Sequence, residues 1–267
     1  MLPVMRLLRD LKLDEIFVLD IETVPCVGCH DDLHEMLKEL WEHKCHALRR
    51  EKGWISHHGH IAPLPDTLHA SALFEQAGIY AEFGRVVCIS VGRFRYAADG
   101  ALRFSVKSFF GHDERELLRE FSAVISHRPQ FRLCGHNGKE FDFPYLSRRL
   151  LINGLPLPPH LDTAGKKPWE VPHLDTMELW KFGDRKSFTS LSLLAAMFGI
   201  PTPKDDIQGK DVARVYYEEN DLPRIARYCQ KDIITTARLL QKFRGDEPFP
   251  DEAVVYANEE TVVLRRT

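Results

Sequence analysis

The sequence predicts a mixed α/β fold in which a β-sheet is covered by helices. The unbroken apolar run Ile16–Leu19 has the composition of a strand that is buried on both faces. A stretch rich in β-branched residues between Arg85 and Phe109 predicts a hairpin. The rest of the chain carries amphipathic helical patterns with one further short strand, and this order of elements is typical of a sheet packed against helices.

The first predicted strand ends abruptly in charged residues. Ile16–Leu19 leads directly into Asp20-Ile21-Glu22, and we interpret it as the central strand of the sheet. Residues 26–80 follow as a polar, histidine-rich insertion. Within it, Asp31–Arg50 has apolar residues at helical spacing, which predicts an amphipathic helix.

The middle of the chain predicts alternating strands and helices, each bounded by turn or capping residues. In order, these are strands at Arg85–Phe94 and Leu102–Phe109 joined by a turn at Ala97–Gly100, a helix from its cap Asp113 to Ile125, a strand at Phe131–Cys134, and a helix from Pro144 to Asn153.

The last third of the chain predicts helices and a weakly specified tail. The helices are Ser190–Phe198, Lys210–Glu219 and Leu222–Phe243. The tail, residues 244–267, contains Val254–Tyr256 and Val262–Leu264 as two further edge strands. We expect a single domain over residues 1–267, with its core at about 16–243.

Composition excludes several classes of protein. The hydrophobic fraction is 44% and the charged fraction 28%, and no apolar run approaches the roughly 20 residues that cross a bilayer. Charged residues interrupt the first fifteen positions, so we expect a cytoplasmic protein without a secretory leader. The six cysteines are scattered, and Cys88, Cys134 and Cys229 fall in segments expected to be buried, which favours reduced thiols. A net charge of −3 argues against a protein that coats duplexes regardless of sequence.

Three segments supply acidic residues with a common setting. Asp20 and Glu22 occupy alternate positions of a strand, so both side chains reach one face of the sheet. Asp142 stands between two phenylalanines where a helix begins. Tyr228 and Asp232 are one helical turn apart beside an apolar stripe.

Each acidic segment alone has an ordinary structural explanation, but together they favour a metal site. A strand-end acid is commonly solvated, and a first-turn acid commonly complements the helix dipole. Four carboxylates that met without a cation would repel one another and raise their own pKa values. Hard divalent cations such as Mg²⁺ and Mn²⁺ prefer such oxygen ligands.

The order and surroundings of these segments resemble a known family. The segments LDIET, HN-G-KEFDFPYL and YCQKD look like the three motifs of DEDDy-type 3′-5′ exonucleases, with support from IYAEFGRVVCISVG, HLDTMELW and SLSLLAAMFGIP. Among them, the chain is most similar to the stand-alone predicted exonucleases related to the exonuclease domain of family B DNA polymerases. The resemblance covers about Ile16 to Phe243. It implies an RNase H-like, mixed five-stranded β-sheet flanked by helices on both faces.

The resemblance also implies a metal-dependent 3′-5′ exonuclease in which Asp20, Glu22, Asp142 and Asp232 hold two Mg²⁺ or Mn²⁺ ions. We expect Asp20 to bridge the metals, Glu22 and Asp232 to serve the water-activating metal, and Asp142 the leaving-group side. Tyr228, with a pKa near its ordinary value of about 10, is expected to hold the water through its hydroxyl. The expected products are 5′-mononucleotides.

The partner is expected to be nucleic acid, DNA rather than RNA, with single-stranded 3′ ends as substrate. Thr23 and Asn137 are candidates for the 3′-terminal nucleotide, and Phe141 or Phe143 for stacking on a base. Association in trans with a polymerase or repair factors is a further hypothesis, because the length of the chain predicts no polymerase domain alongside. Candidate phosphate contacts are Arg148, Arg149, Lys166, Lys167, Arg185, Lys186 and Lys204.

Several alternatives stay open at this level. The chain could be a catalytically silent nucleic-acid-binding or polymerase-docking module, or a metal-dependent endonuclease. Cys26-Val27-Gly28-Cys29-His30 matches the pattern for c-type haem attachment. The same two cysteines with His43, Cys45 and His46 offer a zinc site. Asp175 is either an acid that supports the metal ligands from behind or a helix cap, and we favour the cap.

Overall fold

The computed structural model describes residues 8–51, 68–184, 188–201 and 207–257. Within them, the chain forms one mixed sheet of six strands. The strands are β1 (Ile16–Pro25), β2 (Gly84–Tyr96), β3 (Leu102–Phe110), β4 (Arg132–Gly135), β5 (Leu174–Asp175) and β6 (Val254–Tyr256).

The strand order is β5-β4-β1-β2-β3-β6. Strand β2 is antiparallel to both β1 and β3, whereas β4 is parallel to β1, β5 is parallel to β4 and β6 is parallel to β3. The predicted hairpin, the α/β class and the mixed sheet are therefore confirmed. The predicted number of strands is wrong by one, because Val254–Tyr256 adds a sixth strand at the β3 edge. The other proposed edge strand, Val262–Leu264, lies outside the described residues.

The six predicted helices are present with shifted ends, and two short helices, Ala70–Leu73 and Thr176–Lys181, were not predicted. In order, the helices are α1 (Glu35–Glu51), α2 (Ala70–Leu73), α3 (Glu114–Ser126), α4 (Asp142–Ile152), α5 (Thr176–Lys181), α6 (Leu191–Met197), α7 (Val212–Tyr217) and α8 (Leu222–Arg244). The helix predicted from Asp31 starts later, since residues His30–Asp32 form a 3-10 turn. The helix predicted at Lys210 likewise opens with a 3-10 turn, Gly209–Asp211, and is short.

Alternation along β1 divides the core between the two faces of the sheet. Phe17, Leu19 and Ile21 belong to the cluster that contains residues of α3 and α4, whereas Ile16 and Val18 belong to the cluster that contains residues of α8. Since successive strand residues point to opposite faces, one strand contributes to both cores. Helices thus flank both faces of the sheet, as predicted.

The insertion between β1 and β2 has its own small apolar cluster around Trp41. The Trp41 indole donates a hydrogen bond to the Ala70 carbonyl oxygen at 2.8 Å, which ties α1 to α2. The Tyr145 hydroxyl of α4 donates to the Gly78 carbonyl oxygen at 2.8 Å. The insertion is therefore attached to the sheet domain by a buried hydrogen bond near the start of β2.

The segment after α8 returns to the sheet through a buried arginine. The Arg238 guanidinium donates to the Phe249 carbonyl oxygen at 3.1 Å and to Asp251 at 2.5 Å. Phe249 stacks on Phe104 of β3 with ring centroids 4.9 Å apart, which leads the chain into β6.

In the described ranges, no helix combines the length and the apolar character that crossing a membrane requires.

Candidate metal centre

The central strand β1 brings two carboxylates to the face that α8 covers. Asp20 and Glu22 are two residues apart, and Ile21 between them packs into the opposite core. Asp20 lies opposite Ser90 of β2 and Glu22 lies opposite Cys88. Glu22 is 7% exposed and Asp20 is partly buried. Alternation of side chains in a strand thus produces the predicted pairing of the two acids on one face.

Helix α8 crosses this face and adds Tyr228, Cys229 and Asp232. The Cys229 thiol donates to Asp20 Oδ2 at 3.3 Å, and its sulfur also lies 3.4 Å from the Asp20 carbonyl oxygen. The Tyr228 hydroxyl lies near the carboxylates of Asp232 and Glu22, whose negative charges act on it. Ile225 and Ile233 are buried on the same helix, so the polar residues stand at the border of its apolar stripe.

Asp142 contacts β1 from the start of helix α4. It is the first residue of α4, is 4% exposed, and accepts a hydrogen bond from the Ile21 backbone N–H at 3.0 Å. The pairing of β1 with β4 ends at Val18, so this N–H lies beyond the end of the neighbouring strand. The Asp142 carboxylate therefore satisfies a backbone donor that the short β4 leaves open.

The four predicted carboxylates interact electrostatically with one another. Burial, followed by the charges of Asp142 and Asp232, raises the pKa of Asp20. Burial, followed by the charges of Asp20 and Asp232, raises the pKa of Glu22. Burial also raises the pKa of Asp142 to about 7, although its backbone hydrogen bonds act in the opposite direction. The structure thus brings Asp20, Glu22, Asp142 and Asp232 together at one place.

Glu22 is the member of this group whose charge is least compensated. Within the described ranges its carboxylate accepts no hydrogen bond and forms no ion pair, although the residue is almost fully buried. Buried polar groups normally have a partner, because an unpaired buried charge is costly. The arrangement is therefore that of a site which a cation would complete.

Tyr228 differs from the prediction in its pKa. Burial, followed by repulsion from Asp232, Glu22 and Asp20, raises the pKa of its hydroxyl above the ordinary value. The expectation of an ordinary pKa is therefore wrong, because sequence alone did not show how many negative charges surround the ring. The hydroxyl retains its proton even more firmly than expected, so it acts as a hydrogen-bond donor.

Asp175 organises the loop that precedes Asp142. Its carboxylate accepts hydrogen bonds from the backbone N–H groups of Met177 and Glu178, which caps α5, and from those of Asn137 and Lys139. The interpretation of Asp175 as a helix cap is confirmed, and its role is wider than predicted. One buried carboxylate joins the start of α5 to the loop between β4 and α4.

Asn137 adopts a strained backbone conformation in that loop. Its φ is 66°, in the left-handed region that non-glycine residues seldom adopt. Its side-chain Oδ1 is buried and has no hydrogen-bond partner among the described residues. A conformation that costs free energy and leaves an acceptor unused is often found at ligand sites.

The other predicted substrate residues have mixed positions. Thr23 follows a β-bulge in β1 and is partly buried. The Phe141 ring is partly buried, with its centroid 5.4 Å from that of Tyr145. Phe143 is 3% exposed and packs against His173, so the hypothesis that Phe143 stacks on a base is wrong.

The candidate phosphate contacts divide similarly. Arg148, Lys166 and Lys167 are exposed. Arg149 is buried and donates to Glu114 at 2.9 and 2.5 Å, so its prediction as a phosphate contact is wrong. The sequence did not distinguish Arg149 from Arg148, because the burial of each depends on which side of the helix packs against the rest of the domain. Arg185, Lys186 and Lys204 lie outside the described residues.

The proposed zinc ligands do not form a cluster. Cys45 is fully buried in the Trp41 cluster of the insertion, Cys26 is partly buried and Cys29 is exposed. Over the described ranges, Asp20, Glu22 and Cys229 are the group whose ligand atoms all lie close enough to hold one ion. The zinc and haem alternatives therefore gain no support, whereas the six cysteines are all free, as expected of reduced thiols.

A polar layer beneath the site was not predicted. Ser90 and Ser108 share a hydrogen bond of 2.9 Å between β2 and β3, and the Gln230 amide of α8 donates to Ser108 at 3.0 Å. Both serines are buried. The available signal was a serine at position 90 within the otherwise apolar run of β2, which points to a buried polar contact.

The chain matches a family of predicted exonucleases in sequence. A family model described as "Predicted 3'-5' exonuclease related to the exonuclease domain of PolB" matches residues 79–246, which is more than half of the chain. The matched range contains Asp142, Tyr228 and Asp232, and it begins after Asp20 and Glu22.

The relatives are DNA polymerases of archaea. A DNA polymerase of Pyrococcus glycovorans is 28% identical over 153 residues, and one of Desulfurococcus sp. is 26% identical over the same length. Each alignment covers 52% of this chain and 19% of the polymerase, so the chain spans about a fifth of these relatives. The family B DNA polymerase of Pyrobaculum calidifontis superposes with a TM-score of 0.48 at 18% identity, over 85% of this chain and 24% of that one.

Proposed function

The chain belongs to the family of predicted 3′-5′ exonucleases related to the exonuclease domain of PolB, and from that premise we propose that it is a metal-dependent 3′-5′ exonuclease. Its proposed substrate is the 3′ end of single-stranded DNA, and its products are 5′-mononucleotides. The observation that carries the proposal is that Asp142 and Asp232, from two different helices, lie close enough to Asp20 and Glu22 of β1 for the four carboxylates to interact electrostatically.

The donor set fits two hard divalent cations. It consists of carboxylate oxygens, which Mg²⁺ and Mn²⁺ prefer, and Glu22 among them lacks any compensating partner in the described part of the chain. When bound, two such ions supply a nucleophilic water of lowered pKa and neutralise charge that develops on the scissile phosphate. We assign Asp20, Glu22, Asp142 and Asp232 as the residues that hold them.

The positions of the carboxylates support separate roles. Asp20 interacts with both Asp142 and Asp232, so it would contribute to holding the cations together with each of them. Glu22 and Asp232 interact with each other and stand beside Tyr228, which supports their assignment to the side of the attacking water. Asp142 approaches from α4 and is assigned to the side of the leaving 3′ oxygen.

Tyr228 is assigned to orient the attacking water. Because its pKa is raised by burial and by three neighbouring carboxylates, the hydroxyl keeps its proton and donates a hydrogen bond. It therefore does not serve as the general base. The charges of Asp232 and Glu22 act on this hydroxyl, which supports its assignment to the same side as these two residues.

The terminal nucleotide is assigned to the loop before α4. Asn137 offers a buried acceptor atom that has no partner among the described residues, at a strained position, which is suited to a donor on the 3′-terminal sugar or base. Thr23 and the partly buried ring of Phe141 are proposed neighbours of the same nucleotide. Recognition of the chain end at this loop would give the 3′-to-5′ direction.

Each of the two rival functions can be distinguished from the proposed one by a single observation. A silent binding module is disfavoured because all four carboxylates and the tyrosine are present together, at a cost in electrostatic repulsion that binding alone does not require. An endonuclease would cleave a strand whose 3′ end carries a blocking phosphate, whereas the proposed enzyme would not.

The deciding experiment compares DNA and RNA single strands that carry a label at either end, with Mg²⁺ or Mn²⁺. A 5′ label should yield a ladder of shortening strands, and a 3′ label should yield a mononucleotide at once. Asp20→Asn should reduce the rate by about 10²–10³-fold or more, and Tyr228→Phe by about 10²-fold.

The matched control for Asp20→Asn is Asp31→Asn, in which an exposed aspartate of the insertion is replaced in the same way. It should retain the wild-type rate. Wild-type activity of Asp20→Asn, with a far-ultraviolet circular dichroism spectrum that matches the parent, would refute the assignment of the site.

A further inference from the structure

A thiol lies among the carboxylates of the proposed metal site. Cys229 is fully buried, and its Sγ is 3.3 Å from Asp20 Oδ2. One ligand atom each from Asp20, Glu22 and Cys229 lies within 4.8 Å of the other two. A sulfur atom at this place has no function in the proposed hydrolysis, because Mg²⁺ and Mn²⁺ are bound through oxygen.

A second observation points to a bound ion at the same place. Glu22 is more than nine-tenths buried, faces this group, and within the described residues its carboxylate has neither a hydrogen-bond donor nor an ion-pair partner. The three side chains therefore leave an acid uncompensated next to a soft sulfur donor. Mixed sulfur and oxygen coordination is favourable for Zn²⁺ and for related thiophilic ions.

We propose that Asp20, Glu22 and Cys229 form a three-ligand site for thiophilic divalent cations, of which Zn²⁺ is the natural example. The inference rests on the proposed function, because it assigns a second class of ion to the position that Mg²⁺ or Mn²⁺ would occupy. Tetrahedral Zn²⁺ with bonds of about 2.3 Å to sulfur and about 2.0 Å to oxygen separates these ligand atoms by about 3.5 Å. The observed separation of Sγ and Oδ2 is similar.

Zn²⁺ at this site would inhibit hydrolysis. When the ion binds, sulfur forms a bond to the metal and the thiol proton passes to solvent, so the hydrogen bond from Cys229 to Asp20 is lost. Asp20 and Glu22 would then bind Zn²⁺ together with Cys229, so Mg²⁺ could not occupy the same position. Hard ions leave the thiol protonated, so they retain the hydrogen bond.

The direct test uses Cd²⁺ as a spectroscopic probe of the thiolate. Metal-free protein in which Cys26 and Cys29 are replaced by serine, which removes the accessible thiols, is titrated with Cd²⁺. A thiolate-to-cadmium absorption band in the ultraviolet should grow to one equivalent. It should be absent in Cys229→Ala and retained in Cys45→Ala, the matched loss of a fully buried thiol elsewhere.

A neighbouring thiol provides a further control. Cys88 lies opposite Glu22 on β2, and its side chain interacts with that of Cys229. Cys88→Ala should retain the band. If the band persists in Cys229→Ala, or if it depends on Cys88 instead, the proposed ligand set is wrong. Cys229→Ser serves as the second variant, because it preserves a hydrogen-bond donor if the alanine variant does not fold.

The functional arm measures inhibition relative to each variant's own rate in Mg²⁺. Loss of even an outer-shell partner weakens metal binding by about 10- to 100-fold, so Cys229→Ser should raise the Zn²⁺ concentration for half-inhibition by at least about tenfold. An unchanged value would overturn the inference. Inactivity with every ion would remove the proposed function but not the cadmium spectrum, whereas an active enzyme without the spectrum would remove this inference alone.

Discussion

Glu22, Asp20 and Asp142 occupy positions that oppose folding in the absence of a cation. Glu22 and Asp142 are buried, Asp20 is partly buried, and each lies near other acids; desolvation is the largest cause that raises the pKa of each. A raised carboxyl pKa means that the charged form is less favourable in the folded state than in water. At neutral pH these residues therefore reduce the stability of the metal-free protein.

Replacement of Glu22 by glutamine should separate stability from activity. Glu22→Gln keeps the size of the side chain and removes a buried charge that has no partner in the described part of the chain. We expect the metal-free protein to gain about 0.5–2 kcal/mol in free energy of unfolding at pH 8, while activity falls. Thermal melts in a chelator measure the gain.

The control for this variant is Glu120→Gln, at an exposed position of α3, which should change stability little. A lower melting temperature for Glu22→Gln than for the parent, both without metal, would show that Glu22 is stabilised by a contact that the structure lacks.

The element that depends most on a single side chain is the loop between β4 and α4. The Asp175 carboxylate accepts four backbone hydrogen bonds from two segments that are far apart in sequence. This loop also holds the strained Asn137 and leads directly to Asp142. The position of the site at the start of α4 thus depends on a cap of α5.

Asp175→Ala should lower the free energy of unfolding by about 2 kcal/mol or more, because it removes a helix cap and leaves buried donors unpaired. We also expect reduced exonuclease activity, since Asn137 loses its anchor. Urea denaturation measures the first effect. For comparison, Asp113→Ala removes the cap of α3, which accepts one bond, and should cost about 1 kcal/mol without loss of activity. Equal losses of stability in the two variants would contradict the wider role of Asp175.

The pairing of β2 with β3 depends on a close contact of a glycine. A Cβ atom added at Gly92 would lie 2.0 Å from Cζ of Phe104, which is fully buried. Gly92→Ala should therefore destabilise the protein by about 1–3 kcal/mol through overpacking. Gly209→Ala, where an added Cβ meets no atom of the described residues within 4 Å, should be nearly neutral. Chemical denaturation of both variants measures the difference, and similar stabilities would contradict the proposed clash.

The elements that sequence predicts well are those with enough residues to show a period. The hairpin, α3 and α8 were placed within a few residues, whereas β5 was missed because two residues carry no periodicity. The convergence of the four acids also followed from their settings, but the burial of Arg149 and the raised pKa of Tyr228 did not. Both depend on neighbours distant in sequence, which a pattern along the chain does not reveal.

Across the whole molecule, the pH dependence of stability combines two groups of opposite sign. The pKa of Asp142 is raised to about 7 and those of Asp20 and Glu22 are also raised, so folding binds protons and stability is lost as pH rises through these values. Burial lowers the pKa of His173 to about 4, so its contribution is lost as pH falls below about 6.5. Above that pH the contribution of His173 no longer changes, whereas that of the carboxylates still does.

We therefore expect the melting temperature of metal-free protein to fall between about pH 6.5 and pH 8, with each kcal/mol lost worth about 2–4 °C for a chain of this size. Mn²⁺ at about 100 times its dissociation constant at pH 6.5 should add about 2.7 kcal/mol at that pH, and the same concentration should add more at pH 8, since protons compete for its ligands. Scanning calorimetry with and without a chelator measures both. The same Mn²⁺ effect in Asp20→Asn would contradict binding at this site.

The α/β class was predictable because a strand buried on both faces needs cover on each side, and the amphipathic helices supply it. The sixth strand was foreseen as an edge element but not counted in the sheet. Its attachment depends on Phe249 and Arg238, whose contacts join the end of α8 to β3. Whether such a terminal segment joins the sheet depends on side-chain contacts with the folded domain, which a sequence pattern does not show.

The hydrogen-bonded chain from Ser90 through Ser108 to Gln230 has a consequence for how α8 lies on the sheet. Apolar contacts tolerate small rotations of a helix about its axis, whereas hydrogen bonds of fixed length and direction do not. This chain therefore sets the rotation of α8, and with it the direction in which Tyr228 and Asp232 point. A different scaffold that carried only the acids and the tyrosine would reproduce the ligands. Without these two serines and the glutamine, the directions in which the ligands point would not be fixed.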